Sequence, residues 1–155
     1  MIRLPEGLRI LLIEDSQTNE NDFLQLLQGC DIEQLEFRSV TDVTGAFDLS
    51  REFLPEIIFA ALPILQKDVA AVELKKWLSS ENIPLVTIAS TRPKVDDHVD
   101  IFPEANDQLY RDELSAVMIK KSIQYCLAIK RKDQHMREIV ERFELLAKAT
   151  NDIVW

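Results

Sequence analysis

Short apolar runs, separated by segments of helical periodicity, constrain the fold of this chain more than any other feature. Ile10–Ile13, Ile57–Leu62 and Leu85–Ala89 are nearly continuous apolar stretches. Runs of this length without alternation are typical of strands buried on both faces of a sheet. Two further strands are predicted at Leu35–Val40, where apolar and polar residues alternate, and at Gln108–Tyr110.

The segments between these runs predict helices. Phe23, Leu24 and Leu27 fall at helical spacing, and Gly29 follows as a helix-ending residue. Asp42 or Thr41 can cap a second helix, and a later helix places four apolar residues on one face, namely Ala70, Leu74, Trp77 and Leu78. Only a short helix is expected within Thr91–Asn106, because prolines interrupt it.

Alternation of strands and helices predicts a mainly parallel sheet with helices on both faces. Five such units match the flavodoxin-like doubly wound α/β fold, a five-stranded parallel sheet, here followed by a long C-terminal helix. In folds of this kind the working site lies at the carboxyl ends of the strands. Those ends carry Glu14 with Asp15, Ala61, Ser90 and Arg111.

Charge and composition narrow the classes of function. The net charge is −9, and residues 1–112 carry 10 Lys and Arg against 21 Asp and Glu, which disfavours nucleic-acid binding. No apolar run is long enough to span a bilayer, and no signal peptide precedes Arg9. Cys30 and Cys126 have no nearby cysteine or histidine, so free thiols and a cytoplasmic location are expected, without a membrane partner.

From Asp112 the pattern changes to one long helix, because Pro and Gly are absent through Trp155. Apolar residues recur along it in alternating steps of three and four, interrupted by Ser122 and Asp133. This pattern predicts a helix that begins on the sheet and continues as a parallel, two-stranded coiled coil of a homodimer. An ordinary terminal helix folded back on the domain is the alternative. The predicted dimer seam consists of Ile119, Cys126, Ile129, Met136, Val140 and Phe143.

Taken in order, these segments resemble the receiver domain of two-component response regulators, the CheY-like family. The resemblance rests on the order and spacing of five segments: Arg9–Asp15, Pro55–Leu62, Val72–Leu78, Ile83–Ser90 and Ala105–Arg111. It extends from Arg9 to about Ile129 and implies a module of a phosphorelay that contacts other signalling proteins.

The chain departs from the family at the residue that accepts the phosphoryl group. The family phosphorylates an aspartate at the end of the third strand, and that position holds Ala61, whose methyl group is not a nucleophile. The lysine that pairs with the phosphoryl group is replaced by Arg111. The switch hydroxyl is either Ser90 or missing, with Ala89 in its place.

Glu14 and Asp15 match the family's acidic pair, which holds Mg²⁺. Without a carboxylate at position 61 they remain only a candidate magnesium site, and no other cofactor is expected. The competing interpretation is structural: Asp15 caps the following helix while Glu14 is solvated.

The end of the chain resembles the opening helix and first strand of a PAS domain, on the residues Arg142–Trp155. We therefore expect a receiver-like domain at 1–129, a helical coiled-coil linker at 130–142, and the beginning of a PAS domain at 143–155. The resemblance implies a longer protein, such as a PAS-containing histidine kinase, with no enzyme activity in this part.

Three functions are compatible with these residues. The first is a pseudo-receiver that is not phosphorylated and relays signals by protein contact to its own PAS domain. The second is an active receiver whose acceptor has shifted, for instance to Asp68. The third is a cofactor-binding enzyme on a flavodoxin-like fold, which the acidic first turn disfavours because it lacks a glycine-rich phosphate loop.

Overall fold

The computed structural model describes residues 7–90 and 105–154, with side chains for 7–90, 105–132, 134–143 and 145. Strands and helices alternate along the chain, as the apolar runs predict. The strands are β1 Arg9–Ile13, β2 Glu36–Val40, β3 Ile57–Ala61, β4 Leu85–Ala89 and β5 Asp107–Tyr110. The helices are α1 Gln17–Gln28, α2 Val43–Phe53, α3 Leu62–Lys67, α4 Ala70–Ser80 and α5 Ala116–Val154.

The five strands form one sheet in the order β2-β1-β3-β4-β5, and every neighbouring pair is parallel. This is the flavodoxin-like arrangement with its long C-terminal helix, so the predicted fold class is confirmed. The register aligns Ile13 with Ala60, Ala61 with Ile88, and Ala89 with Tyr110. The carboxyl ends of four strands therefore meet at one edge.

Helices cover both faces of the sheet. On one face α1 and α5 pack on alternate strand residues, including Leu12 and Phe59. On the other face α2, α3 and α4 pack on the residues between them, including Leu11 and Ile58. Two-sided burial explains why β1, β3 and β4 read as continuous apolar runs. Trp77 is half-buried against Phe47, with ring centroids 5.6 Å apart.

Local capping sets where the first helices begin. The Asp42 side chain accepts a hydrogen bond from the Gly45 amide at 2.6 Å, which confirms the predicted cap of α2. At α1 the capping side chain is Ser16, which accepts from the Asn19 amide at 3.3 Å. The helix α3 was not predicted; Pro63 falls in its first turn, where a missing amide costs nothing.

The long helix α5 divides into a buried and an exposed part. Ile119, Ile123 and Cys126 are fully buried against the sheet, and Leu127 is buried as well. Beyond Lys130 every residue whose exposure is described is exposed, up to Leu145. No helix in the described part of the chain is both long and apolar enough to cross a membrane.

Two predictions concern segments that the structure describes only in part: the short helix within 91–106 and the beginning of a PAS domain at the end of the chain. Most of the short helix expected within 91–106 lies outside the described residues. At the other end α5 continues to Val154, so Ile153 and Val154 are helical where the PAS resemblance predicted a strand. The helical half of that resemblance agrees with the structure, and the PAS assignment stays a prediction.

The first part of α5 belongs to the domain core, so its contribution to stability can be measured by mutation. Replacing Ile123 by Ala should lower the free energy of unfolding by about 2–5 kcal/mol, since it leaves a cavity beneath the helix. The control is Val117→Ala on the same helix, 61 % exposed, which should change stability by less than about 0.5 kcal/mol. Urea denaturation measures both, and equal effects would contradict this packing.

Candidate functional site

The candidate site residues at the carboxyl edge of the sheet lie on the face that α1 and α5 cover. Along β1 and β3, Leu12 and Phe59 face α1 and α5, whereas Ile13 and Ala60 face α2 and α4. Side chains alternate along a strand, so Glu14 and Ala61 both lie on the α1 and α5 side. Arg111 begins a short 3-10 helix directly after β5, and its contact with Glu14 places its side chain on that side as well.

Ala61 lies at the centre of this edge. It ends β3 between β1 and β4, and it is 4 % exposed. The Ile13–Ala60 pairing places Glu14 level with Ala61 on the neighbouring strand. The position to which the receiver resemblance assigns the acceptor carboxylate is a buried methyl group in this structure. It offers neither a nucleophile for a phosphoryl group nor a ligand for a metal.

An ion pair spans this edge of the sheet. The Arg111 guanidinium donates a hydrogen bond to Glu14 Oε1 at 3.0 Å, and the carboxylate-bearing side chain is only 3 % exposed. In the sheet β5 and β1 are separated by β3 and β4, so the pair crosses the ends of both strands. The other Glu14 oxygen accepts from the Asp15 amide at 3.2 Å. The buried carboxylate thus has a partner for each oxygen.

The structural interpretation of Glu14 and Asp15 was wrong in both parts. Glu14 is buried rather than solvated, because Arg111 compensates its charge. Asp15 is exposed, and the capping oxygen of α1 belongs to Ser16 instead. The serine is one residue nearer the helix, where its hydroxyl reaches the third helical amide.

These residues do not fit a protein-held magnesium ion. Among the described residues no group of three His, Cys, Asp or Glu side chains is placed to hold a metal. Mg²⁺ needs several oxygen ligands in near-octahedral geometry. Here one carboxylate is paired with a guanidinium, the other faces solvent, and position 61 supplies no oxygen.

The two candidates for the switch position differ in the face they occupy. By strand alternation Ser90 shares the face of Ala61, whereas Ala89 points to the opposite face. Ser90 is exposed directly after β4 and two residues beyond the level of Ala61. The hydroxyl is therefore present on the side of the sheet where the family's chemistry takes place.

Asp68 is the residue that the sequence suggested as a shifted acceptor. In the chain it follows α3, so it is separated from the end of β3 by a whole helix. Asp68 Oδ1 accepts from the Ala70 amide at 2.9 Å at the start of α4. A carboxylate in that position stabilises the first turn of a helix. Its contacts therefore assign it a structural role.

The six residues of the predicted dimer seam fall into three groups according to their burial. Ile119 and Cys126 are fully buried in the domain and are unavailable to a partner helix. Ile129 is half-buried where the helix leaves the sheet. Met136, Val140 and Phe143 are exposed by 54 %, 49 % and 72 %, so the apolar stripe continues without cover from the described residues.

Sequence reasoning missed one residue of this stripe and one interaction of the site. Ile139 is 46 % exposed beside Val140, and its position next to the seam was the available signal. The Glu14–Arg111 pair was missed because Arg111 was assigned to the phosphoryl-binding position alone. Position 61 carries no carboxylate, and the buried acidic side chain that pairs with Arg111 at this edge is Glu14.

Solved structures of receiver domains are similar to this chain. A signal receiver domain of a LuxO repressor protein from Vibrio parahaemolyticus aligns with a TM-score of 0.61 and 19 % identity, over 83 % of this chain and 95 % of that one. A response regulator from Chloroflexus aurantiacus aligns with a TM-score of 0.63 and 16 % identity, over 79 % and 99 %. These similarities show that the chain has the fold of a response-regulator receiver domain.

A third similar structure contains a coiled-coil segment from yeast. It is a fusion that carries the trimeric coiled coil of yeast Spc42, with a TM-score of 0.63 and 13 % identity. It covers 96 % of this chain and 99 % of that one, so the alignment extends along most of α5. No protein-family model matches the sequence, and no curated protein matches it.

The Glu14–Arg111 pair predicts an asymmetric response to mutation. Arg111→Met should lower the free energy of unfolding by about 2 kcal/mol, because it leaves a buried carboxylate without its cation. Adding Glu14→Gln should restore about half of that loss, since no buried charge remains. Chemical denaturation of the two variants and the parent measures this. A double variant no more stable than Arg111→Met would contradict the pair.

Proposed function

We propose that this chain is a pseudo-receiver, a signalling module that is not phosphorylated at its strand-end site and acts through protein–protein contacts. The observation that carries the proposal is Ala61, a buried methyl group at the acceptor position of a receiver fold. As an isolated module it has no enzyme activity of its own. Its partners are signalling proteins, and nucleic acid is not among them because the domain is acidic.

The ion pair at the same edge supports this proposal. In a phosphorylated receiver, charge arrives at the strand ends and changes the contacts there. Here Arg111 already holds a carboxylate, Glu14, within the domain. A fixed internal pair at this edge favours one conformation over a phosphorylation-dependent equilibrium.

The route for the signal in this proposal is α5. The helix shares its first part with the domain core and presents Met136, Val140 and Phe143 to solvent in its second part. Each such side chain gains on the order of 1.5–3 kcal/mol when buried. A second copy of the same helix, running parallel, supplies that cover.

In this organisation residues 1–129 form the receiver-like domain and 130–142 form the coiled-coil linker. Residues 143–155 begin a PAS domain of a longer protein, which receives the signal. Paired helices can pass a rotation or a register shift from one domain to the next because a coiled coil is continuous across the linker.

The first test is phosphorylation. Incubation with acetyl phosphate and Mg²⁺ should leave residues 61–68 unlabelled, as measured by mass spectrometry at neutral pH. Ala61→Asp alone should gain little label, because Arg111 still pairs with Glu14. Ala61→Asp with Arg111→Lys should gain clearly more, since the aspartate supplies the nucleophile and a lysine replaces the guanidinium fork. An acyl phosphate at 61–68 in the parent protein would overturn the pseudo-receiver proposal.

The second test is the oligomeric state. Light scattering of the parent protein at tens of micromolar should give the mass of a dimer. Val140→Lys with Phe143→Lys should give a monomer with unchanged unfolding of the domain, since both side chains are exposed and outside the core.

Control substitutions distinguish an effect of the seam residues from the effect of placing lysines at any exposed position of α5. Val117→Lys with Tyr125→Lys changes residues that are 61 % and 53 % exposed on the first part of the helix, and it should leave the dimer intact. A monomeric or trimeric parent, or dissociation by the control pair, would contradict the proposed dimer.

A further inference from the structure

A groove lies between α1 and the segment that joins β5 to α5. Its volume is about 560 Å³, within the range of about 300–1,000 Å³ that is typical of sites for small organic ligands. One wall runs along α1 from Asn19 to Gly29, which corresponds to about 15 Å of helix. The facing wall runs from Arg111 to Ala116. The groove therefore suits an organic molecule rather than a single inorganic ion.

Polar side chains are concentrated at one end of this groove. Asn19 and Asp22 belong to the first half of α1. Arg111 lies at the same end, because its guanidinium is 3.0 Å from Glu14 Oε1 and Glu14 comes three residues before α1 begins. This end therefore combines a carboxylate, a carboxamide and a guanidinium.

The other end of the groove is mainly apolar. Leu26 and Leu114 are half-buried and pack against the domain core. A Cβ atom at Gly29 would lie 3.3 Å from the Ala116 Cβ, so α1 and α5 approach each other closely where the groove ends. Gln25 is the polar lining residue of this half, and it is exposed. A ligand that fills the groove thus meets polar groups at one end and apolar groups at the other.

The charge of the groove is negative. Asp22 is exposed, and no described residue donates a hydrogen bond to its carboxylate or forms an ion pair with it. The positive charge of Arg111 is matched by Glu14. Residues 1–112 add a wider negative field, with 21 acidic against 10 basic residues. Both the local and the overall charge therefore attract a cation and repel an anion.

We propose that this groove binds a small organic cation, an amine that carries an apolar body. The ammonium group lies at Asp22, where a charge-assisted hydrogen bond holds it, and the side-chain carbonyl of Asn19 accepts a further N–H. The apolar body lies against Leu26, Leu114 and Ala116, where it is removed from water. The proposal does not depend on the absence of phosphorylation at the strand ends.

Such a ligand connects α1 with the start of the long helix. Asp22 and Leu26 belong to α1, whereas Ala116 is the first residue of α5. A ligand that binds the folded domain raises its stability by mass action, and one that contacts both helices favours their observed relative position. Occupancy of the groove is therefore an input that reaches α5 directly.

The test uses the full 155-residue chain and 2-phenylethylamine as the probe, at constant ionic strength. The amine should raise the melting temperature, and it should shift the amide resonances of residues 19–29 and 114–116 in a saturable way. Three matched compounds each lack one feature: 2-phenylethanol lacks the charge, 3-phenylpropionate reverses it, and ethylamine lacks the apolar body. Each should bind with a Kd weaker by about tenfold or more, because one charged or apolar contact is lost.

A matched pair of variants locates the site of the amine. Asp22→Asn should weaken the Kd of 2-phenylethylamine by about tenfold, the effect of one charge-assisted hydrogen bond. Asp48→Asn removes the same charge from an exposed residue of α2 that does not line the groove, and it should change the Kd by less than about twofold.

Four results would overturn the proposal. They are the absence of saturable shifts in the groove, equal binding of the amine and the alcohol, tighter binding of the propionate, and equal losses in the two variants. A lysine-rich peptide that binds the same residues more tightly than the amine would also overturn it, because the cation would then belong to a protein partner rather than to a small molecule.

Discussion

Apart from Arg9 at the start of β1, the side chains of β1, β3 and β4 have no route to water on either face of the sheet. The helices α1 and α5 cover one face, and the remaining helices cover the other. This two-sided burial forces the strand interiors to be apolar, and it leaves the strand ends as the place where polar groups can act. It also makes α5 indispensable. Ile119, Ile123 and Cys126 supply part of the cover, so the helix that continues beyond the domain is also a layer of its core.

The same constraint explains which parts of the fold could be predicted. Continuous apolar runs at β1, β3 and β4 identify buried strands without knowledge of the partners, and Asp42 marks a helix start through local chemistry. The helix α3 was not predictable in this way. Its six residues carry no periodic pattern, and Pro63 reads equally well as the end of a strand or the first turn of a helix.

The site was less predictable than the fold because it depends on contacts between residues distant in sequence. That Ala61 ends a buried strand follows from the local pattern. That Arg111 reaches Glu14, 97 residues away, does not, because it requires the order of the strands and the length of the side chain. The sequence interpretation assigned the cap of α1 to Asp15, whereas the capping residue is its neighbour Ser16. Only the backbone geometry decides between two adjacent polar residues of this kind.

In the proposed pseudo-receiver the strand-end edge has no phosphate acceptor, and this changes what the rest of the domain can do. A receiver that is switched by phosphate has a charge that arrives and leaves at the strand ends. Here the charges at that edge are permanent and internal, and the buried carboxylate is matched by a cation from the outermost strand. The Glu14–Arg111 pair favours one conformation of the domain. To carry a signal, the proposed module therefore needs an input at a site other than this edge.

The geometry of α5 indicates where such an input acts with most effect. The helix is fixed by burial up to Leu127, and from Arg131 onward its residues with described side chains are exposed, so the residues between them set the direction in which it leaves the domain. Lys130 lies in that interval, joined to the α4–β4 turn through Asn82. In the proposed signalling route, a displacement of this one turn would tilt the helix along its whole length, because a helix is rigid. Such a route needs no rearrangement of the sheet, whose packed core resists small displacements.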